Sequence, residues 1–533
     1  MCTRSLQVFT RVWHPVGTMA AARAKPHKVT EIERKFDVDD AAVTPSFDGL
    51  TVVAQVDTLP LQLLDAVYFD TPSHDLARNR ITLRRRTGGP DAGWHLKLPA
   101  GDRTADARTE VRLPLPESGS PGYEAAVPDE LRDVVLAIVR DRPLRPVAHI
   151  ATSRRVQKLY AADGSALAEF CDDEVSAGAF PADGPEIPVD TWREWELELA
   201  AGCSDSELLD RLGRRLQDAG AVPAGHGSKL ARVLDAALPA TDEVRPGTGD
   251  VPADPIHRAV AEQVAGLIAW DRAVRADTYD SVHQMRVTTR KLRSLLKESE
   301  ESFGLTDDSW VLDELRQLAA ILGVARDAEV LADKYEKTLA ALPAELVRGP
   351  VRERLVDGAH RRYETGLRRS IAAMRTTRYF RLLDALEALV TAEAPPGAEA
   401  AEHAPVTIDA AYKRVRKAAK AAAAAAAAQT PDRDEALHRI RKGAKRLRYT
   451  AAATGASAVS DAAKTIQTLL GDHQDAVVSR THLAQQAEAA HAAGEDTFTY
   501  GVLYQLEDDL ARSSRDQVSD ALKALAKAVH KAH

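Results

Sequence analysis

The sequence predicts an α+β chain, with an antiparallel β domain in its first half and an all-α domain in its second. Three observations carry this. Short β-rich runs alternate with turn signals up to about residue 240, long Ala/Leu/Arg-rich segments of helical period follow, and a basic helical motif occurs twice in that second half. A chain of 533 residues exceeds one ordinary core, so two or more domains are expected. Its 44% hydrophobic and 28% charged content describes a folded globular protein.

Residues 1–27 are expected to form a disordered extension, with Met19 an alternative start. Val8, Phe9, Val12 and Trp13 are broken up by Thr10, Arg11 and His14, which argues against a secretory signal. No run of about 18 apolar residues exists, so no membrane partner is expected. Cys2, Cys171 and Cys203 have no CxxC spacing, which excludes a disulfide framework and a cysteine-rich zinc site and suits the cytoplasm. The net charge of −8 argues against a polyanion partner only if charges are spread evenly, so their placement on faces decides.

Eight strands are expected at Glu31–Val38, Val67–Asp70, Ile81–Arg86, Trp94–Leu98, Glu110–Leu113, Ser153–Tyr160, Leu167–Asp173 and Trp192–Leu199. Turn clusters such as Thr87-Gly88-Gly89-Pro90 separate them, and helices interrupt near Asp129–Arg140 and Asp205–Asp218. Residues 237–254, with Pro246-Gly247-Thr248-Gly249-Asp250, read as a linker. Beyond it the period is helical. Ala421–Ala428 is a low-complexity run read simply as strong helix former.

Chemistry is concentrated on one face of these strands. Alternate residues share a face, so Glu31, Glu33 and Lys35 point one way and Ile32, Arg34 and Phe36 the other. The pattern recurs in Arg84 with Arg86, His95 with Lys97, Glu110 with Arg112, and Glu194, Glu196 and Glu198 opposite Trp195, Leu197 and Leu199; Glu169 and Asp173 are also in register. Solvated outer faces would explain any one such set. Five consistent sets backed by apolar faces fit a barrel with a polar lumen. Carboxylate oxygens suit Mg²⁺ or Mn²⁺ and guanidiniums suit phosphate oxygens, so a metal and a polyanion are the expected occupants.

Glu31-x-Glu33-x-Lys35, Tyr68-Phe69-Asp70-Thr71 followed by Leu83-Arg84-Arg85-Arg86, Leu96-Lys97-Leu98, Glu194-x-Glu196-x-Glu198 and Ser228-Lys229 together resemble the CYTH, or triphosphate tunnel metalloenzyme, superfamily over residues 28–236. The resemblance implies an eight-stranded antiparallel tunnel that binds a linear triphosphate. Lys35, Arg84, Arg86, Arg112, Lys97 and Lys229 would contact phosphate, joined by one of Arg154 and Arg155, which lie on opposite faces and are left open. Glu31, Glu33, Glu196 and Glu198 would hold Mg²⁺ or Mn²⁺, assisted by Glu169 or Asp173. The catalytic set would be Glu31, Glu33, Lys35, Glu196 and Glu198.

In the second half, the run from Val282 to Arg293 matches that from Leu437 to Arg448, 155 residues on, and Leu322-Gly323-Val324-Ala325-Arg326-Asp327-Ala328 matches Leu470-Gly471-Asp472-His473-Gln474-Asp475-Ala476. Positions 0, 3, 7 and 10 of a helix lie within roughly 80° of one another, so His283, Arg286, Arg290 and Arg293 form one stripe, extended by Lys297, and His438, Arg441, Lys445 and Arg448 its twin. Met285, Leu292 and Leu296 fall on the core side. Cations at helical pitch suit a repeating polyanion. The histidines have basic neighbours, which is poor company for a metal ligand. Further basic density lies at Lys413-Arg414-Val415-Arg416-Lys417, Arg375 and Arg378. This half resembles the CHAD domain, a conserved-histidine α-helical module, over residues 255–530, which implies two duplicated four-helix bundles with polyphosphate in the groove between them. Gly443 sits in the middle of the second motif helix and is expected to weaken it.

The leading expectation is an inorganic triphosphatase (a phosphoric anhydride hydrolase) whose helical domain binds polyphosphate, in the cytoplasm and at polyphosphate granules. The rivals are a non-catalytic polyphosphate-binding, granule-associated protein and a tunnel enzyme for thiamine triphosphate or a nucleotide, adenylate cyclase included. Aromatic content of 5%, with few aromatics between the basic stripes, disfavours nucleic acid. The oligomeric state is left open.

Overall fold

The computed structural model describes residues 27–99, 106–115, 125–181, 185–237, 255–306, 309–391, 407–428, 433–453 and 455–532. The chain divides into two compact units, Met1–Ala253 and Asp254–His533. The expected extension over 1–27 and linker over 237–254 lie outside the described residues, except His27 and Ala237. No helix among the described residues is long and apolar enough to cross a membrane.

The first unit contains β1 (His27–Val38), β2 (Gln55–Thr58), β3 (Gln62–Asp70), β4 (Thr82–Thr87), β5 (Gly93–Pro99), β6 (Ala107–Pro114), β7 (Arg145–Tyr160), β8 (Ala166–Ala179), β9 (Ile187–Leu199) and β10 (Val222–Pro223). All pairings are antiparallel. The order β1-β6-β5-β4-β3-β7-β8-β9 returns to β1, closing an eight-stranded barrel, while β2 adds to β7 and β10 to β1. Closure works because β1 changes partners midway: His27–Ile32 pair with β6, and Glu33–Val38 with β9. All eight expected strands are present. Tiny β2 and β10 carry no alternation that a sequence reading could use.

Among the described residues, five helices dress the barrel: α1 (Asp75–Arg78), α2 (Asp129–Val134), α3 (Leu136–Val139), α4 (Ser206–Asp218) and α5 (Lys229–Ala237). Asp205 caps α4 by accepting from the Glu207 and Leu208 amides. Its Leu208, Leu209, Leu212 and Leu216 cover the outer faces of Phe36, Trp195 and Leu197. Helix α5 does something different. Its Leu230, Val233 and Leu234 pack on Ala66, Tyr68, Ile150, Val175 and Trp192, residues with the inward parity of their strands. It therefore fills one end of the barrel and brings Lys229, its first residue, to the interior.

The second unit comprises α6 (Pro255–Arg275), α7 (Ser281–Glu298), α8 (Trp310–Ala341), α9 (Gly358–Ala373), α10 (Thr377–Thr391), α11 (Ile408–Ala427), α12 (Arg433–Ala453), α13 (Ser457–Ala492) and α14 (Phe498–Lys531). Helices α6, α7, α8 and α10 pack together around Leu267, Met285, Leu292, Leu322 and Leu383. Helices α11 to α14 repeat the arrangement around Val415, Ile440, Leu447, Ile466 and Leu525. Gly443 does not interrupt α12. A Cβ there would lie 3.2 Å from Val415 Cγ2 on α11. The glycine thus lets two helices approach closely, which offsets its cost of about 1 kcal/mol in helix propensity.

Between the bundles, α8, α9, α13 and α14 share a buried polar chain. Arg362 donates to His482 Nε2 at 2.7 Å, which leaves the ring proton on Nδ1 to donate to the Tyr335 hydroxyl at 2.8 Å. Ser479 joins Tyr335 to Glu507, which Lys334 holds at 2.6 Å. Burial and the Arg362 charge push the His482 pKa down to about 4. Its folded value lies below the ordinary one near 6.5, so its contribution to stability is complete above about pH 6.5 and is lost as pH falls toward 4. Urea unfolding of the helical unit at stepped pH should show this loss, and His482→Gln should flatten the profile across that interval.

Candidate functional site

The barrel interior is a cavity of about 420 Å³. Glu31, Glu33, Lys35, Arg84, Arg86, Lys97, Arg112, Arg154, Glu169, Glu196, Glu198 and Lys229 all line it. The register explains the convergence: Glu33 lies opposite Glu198, Lys35 opposite Glu196, Arg84 opposite Tyr68 and His95, and Lys97 opposite Glu110.

At one side, carboxylate oxygens of Glu31, Glu33 and Glu198 lie within 4.8 Å of one another. Lys35 Nζ is 2.7 Å from Glu33, and Lys97 Nζ is 2.7 Å from Glu31 Oε2 and 3.4 Å from Glu33. Burial opposes the Glu33 charge, but these two ammoniums outweigh it and hold the carboxyl down at about 2. Burial, with the Glu31 and Glu33 charges adding to it, pushes Glu198 up to about 8. Burial also raises Glu31, whose Oε2 is enclosed without a hydrogen bond of good geometry. Three hard-oxygen ligands that repel one another across this span fit a small divalent cation.

A second acidic group, Asp173, Glu194 and Glu196, is organised differently. Lys229 Nζ sits among them at 2.9, 2.6 and 2.8 Å, so a side-chain ammonium takes the position a metal would need. Arg154 donates to Asp173 at 2.7 and 2.6 Å and to Glu196 at 2.5 Å. Asp173, expected to assist at the metal, belongs to this second acidic group and is wholly buried, bonded to Arg154 and Lys229. Glu169 stands at the rim, part-exposed, 3.7 Å from Lys158. Of the two open candidates Arg154 faces inward. Arg155 lies on the opposite face, half-exposed and paired with Glu174 at 2.9 Å, so it does not contact the lumen.

Across the cavity, Arg84, Arg86 and Arg154 bring three guanidiniums together. Arg84 donates to the Tyr68 hydroxyl at 3.2 Å, and the Nε atoms of Arg84 and Arg86 are buried without an acceptor. Burial and the charges of Arg84 and Arg154 pull Arg86 down to about 10. Below them Glu110 binds His95 at 2.9 Å and also takes Arg112, which reaches Glu31 at 2.6 Å.

In the helical unit the two motif helices present matched geometry. The Arg286 guanidinium lies against Gly323 of α8, where an added Cβ would be 3.4 Å from its Nε. Arg441 lies likewise against Gly471 of α13, at 3.4 Å. Arg293 donates to the Leu312 carbonyl at 3.2 Å, and Arg448 to Gln467 at 3.3 Å. The repeated Leu-Gly signature is thereby explained: each glycine makes room for a motif arginine. Lys445 is lowered by burial and by the charges of Arg290, Arg441 and Arg448, and Arg290 comes from the other motif helix. His283 is half-buried, and His438 and Lys297 are exposed. Arg378, expected to add basic density, is neutralised by Glu314 at 2.7 Å.

A family model described as the CYTH domain matches residues 30–232, and one described as the CHAD domain matches residues 258–484. The chain belongs to the family that joins a CYTH domain to a CHAD domain. It is 65% identical over 523 residues to the uncharacterized protein Rv2226 of Mycobacterium tuberculosis strain H37Rv, covering 96% of this chain and 100% of that one. Among solved structures it is similar to PptA from Streptomyces chartreusis, at 19% identity and a TM-score of 0.40, covering 50% of this chain and 98% of that one. It is also similar to the CHAD domain from the plant Ricinus communis, at 21% identity and a TM-score of 0.33, covering 52% and 90%.

The CYTH domain is a triphosphate tunnel domain, a class that works with metal. Sequence reasoning had placed Glu110 beside Arg112 without giving it a task, and had missed Asp91, which pairs with Arg86 from the turn after β4. Parity along a strand can find the first, but nothing in a turn's composition says where its carboxylate points. Asp173→Asn removes one carboxylate shared by two buried cations, so it should lower the unfolding free energy of the CYTH domain by about 3 kcal/mol in denaturant titration.

Proposed function

We propose that the CYTH domain hydrolyses inorganic triphosphate with Mg²⁺ or Mn²⁺ held by Glu31, Glu33 and Glu198, and that the CHAD domain grips polyphosphate along its facing basic stripes. One observation carries the first half: a cluster of repelling carboxylates faces guanidiniums with buried, acceptor-less nitrogens across a single cavity. Carboxylates that repel one another and guanidinium nitrogens left without an acceptor are both costly when buried, and a metal with a phosphate chain relieves both.

In this reading Arg84, Arg86 and Arg154 bind the non-bridging oxygens at one end of the chain and hold it straight. Lys35 and Lys97 lie between the carboxylates and the phosphate path and draw the reacting phosphoryl group toward the acidic side. Asp173, Glu194 and Glu196 keep Arg154 and Lys229 fixed, so that no reorganisation is needed as charge develops. Tyr68 and Glu110 set the aim of Arg84 and Arg112. A bound divalent ion would supply charge neutralisation and an acidified water. The rest is positioning and electrostatics, which dominate phosphoryl transfer.

Phosphate release from tripolyphosphate should require Mg²⁺ or Mn²⁺ and stop with a chelator. Glu33→Gln should reduce kcat/KM by about 10²-fold or more with the fold intact by circular dichroism. Thiamine triphosphate and ATP in the same assay test the rival substrates, and faster turnover of either would replace inorganic triphosphate in this reading. No release with any of the three would leave the non-catalytic alternative.

For the CHAD domain, Arg290 and Lys445 come from different repeats and lie near one another, as a single strand of polyanion held between them requires. Long-chain polyphosphate should bind with a steep salt dependence. The double variant Arg290→Gln, Lys445→Gln should weaken binding about tenfold and lower the salt slope by roughly 1 for each cation removed, in filter binding at stepped ionic strength.

A further inference from the structure

Arg86 is a phosphate-facing guanidinium buried at 5% exposure, and its acidic partner Asp91 is not part of the barrel wall. Glu110 is taken by His95 and Arg112, and Asp173 and Glu196 by Arg154 and Lys229. Among the described residues the ion pair of Arg86 is with Asp91 alone. Asp91 belongs to the β4–β5 turn, where Gly88 and Gly89 adopt φ of 76° and 72°. A side chain at Gly88 would collide with the Leu63 carbonyl, so the turn lies tightly on β3. His95 Nε2 donates to the Asp91 carbonyl at 2.9 Å and anchors its backbone. Its carboxylate is not anchored in that way: the side chain is 37% exposed and lines the cavity from the rim.

A carboxylate presents two oxygens to a guanidinium much as a phosphate does, with less charge. We propose that Asp91 is a resident stand-in for the terminal phosphate, which keeps Arg86 compensated and aimed until a phosphate chain arrives and then swings aside on its tethered backbone. Asp91 therefore competes with substrate, sets the affinity of the guanidinium end and closes that end to longer chains. The identity of the displacing anion rests on the triphosphate reading above. The competition itself rests only on the pairing and the exposure. Burial works against the Asp91 charge, and Arg86, His95 and Arg84 outweigh it to keep the carboxyl below the usual range, so the competitor is charged at neutral pH.

The test uses the full chain, wild type against Asp91→Asn and Asp91→Ala, with thermal unfolding followed against pyrophosphate in metal-free buffer. Any pyrophosphate bound by the CHAD domain is common to all three and cancels. Both variants should unfold earlier than wild type without anion, and should need about tenfold less pyrophosphate for half of the stabilisation, as expected when one charge-assisted competitor is removed. Equal or weaker response in both variants overturns the proposal, because a purely structural pair gains nothing by its loss. In tripolyphosphate hydrolysis the variants should lower KM without lowering kcat. Absence of hydrolysis in the wild type would count against the catalytic reading, while the unfolding experiment would still decide the role of Asp91.

Discussion

A closed barrel of eight strands has one interior, and strand alternation sends every second side chain into it. In most small barrels those side chains are apolar and fill the space. Here Glu31, Glu33, Lys35, Arg84, Arg86, Lys97, Arg154, Glu196 and Glu198 line a cavity instead, and the constraint on everything else is that these charges must be compensated where water is scarce. The outer faces carry the burden of stability. Phe36, Trp195 and Leu197 pack under α4, and the apolar end of the lumen is filled by α5.

Compensation is local and uneven. Asp173, Glu194 and Glu196 are paired with Lys229 and Arg154. In the cluster of Glu31, Glu33 and Glu198, Lys35, Lys97 and Arg112 hold the first two carboxylates, while burial and the charges of Glu31 and Glu33 push Glu198 up. On the guanidinium side, the Nε atoms of Arg84 and Arg86 lack acceptors. The proposed polarity of the site, metal at one side and phosphate at the other, rests on this uneven compensation.

Most of this architecture was legible in the sequence, because a period of two is hard to mistake when five strands agree on it. The inward set, the eight strands and the paired helical stripes all came from spacing. What spacing could not supply was the third dimension around each charge. Glu33 and Glu196 share the same motif type, yet one faces the carboxylate cluster and the other is enclosed by cations. Arg154 and Arg155 are indistinguishable until the register of β7 against β8 is known. Asp91 sits on a turn, where no periodicity aims its side chain. Gly443 looked like a weakness and is a contact point, because the packing of α11 on α12 lies outside what one helix's sequence records.

The helical unit solves a related problem by symmetry. Two copies of one motif each seat an arginine on a glycine of the following long helix, and they bring Arg290 and Lys445 into mutual range. In the proposed reading, the like charges that crowd one another in each domain take a polyanion. The most direct test of the central claim is an anomalous difference map from crystals grown with Mn²⁺ and tripolyphosphate. The account predicts a manganese peak among Glu31, Glu33 and Glu198, with phosphate density running toward Arg84 and Arg86. Manganese absent from that cluster, with phosphate bound only on the outside of the barrel, would contradict it.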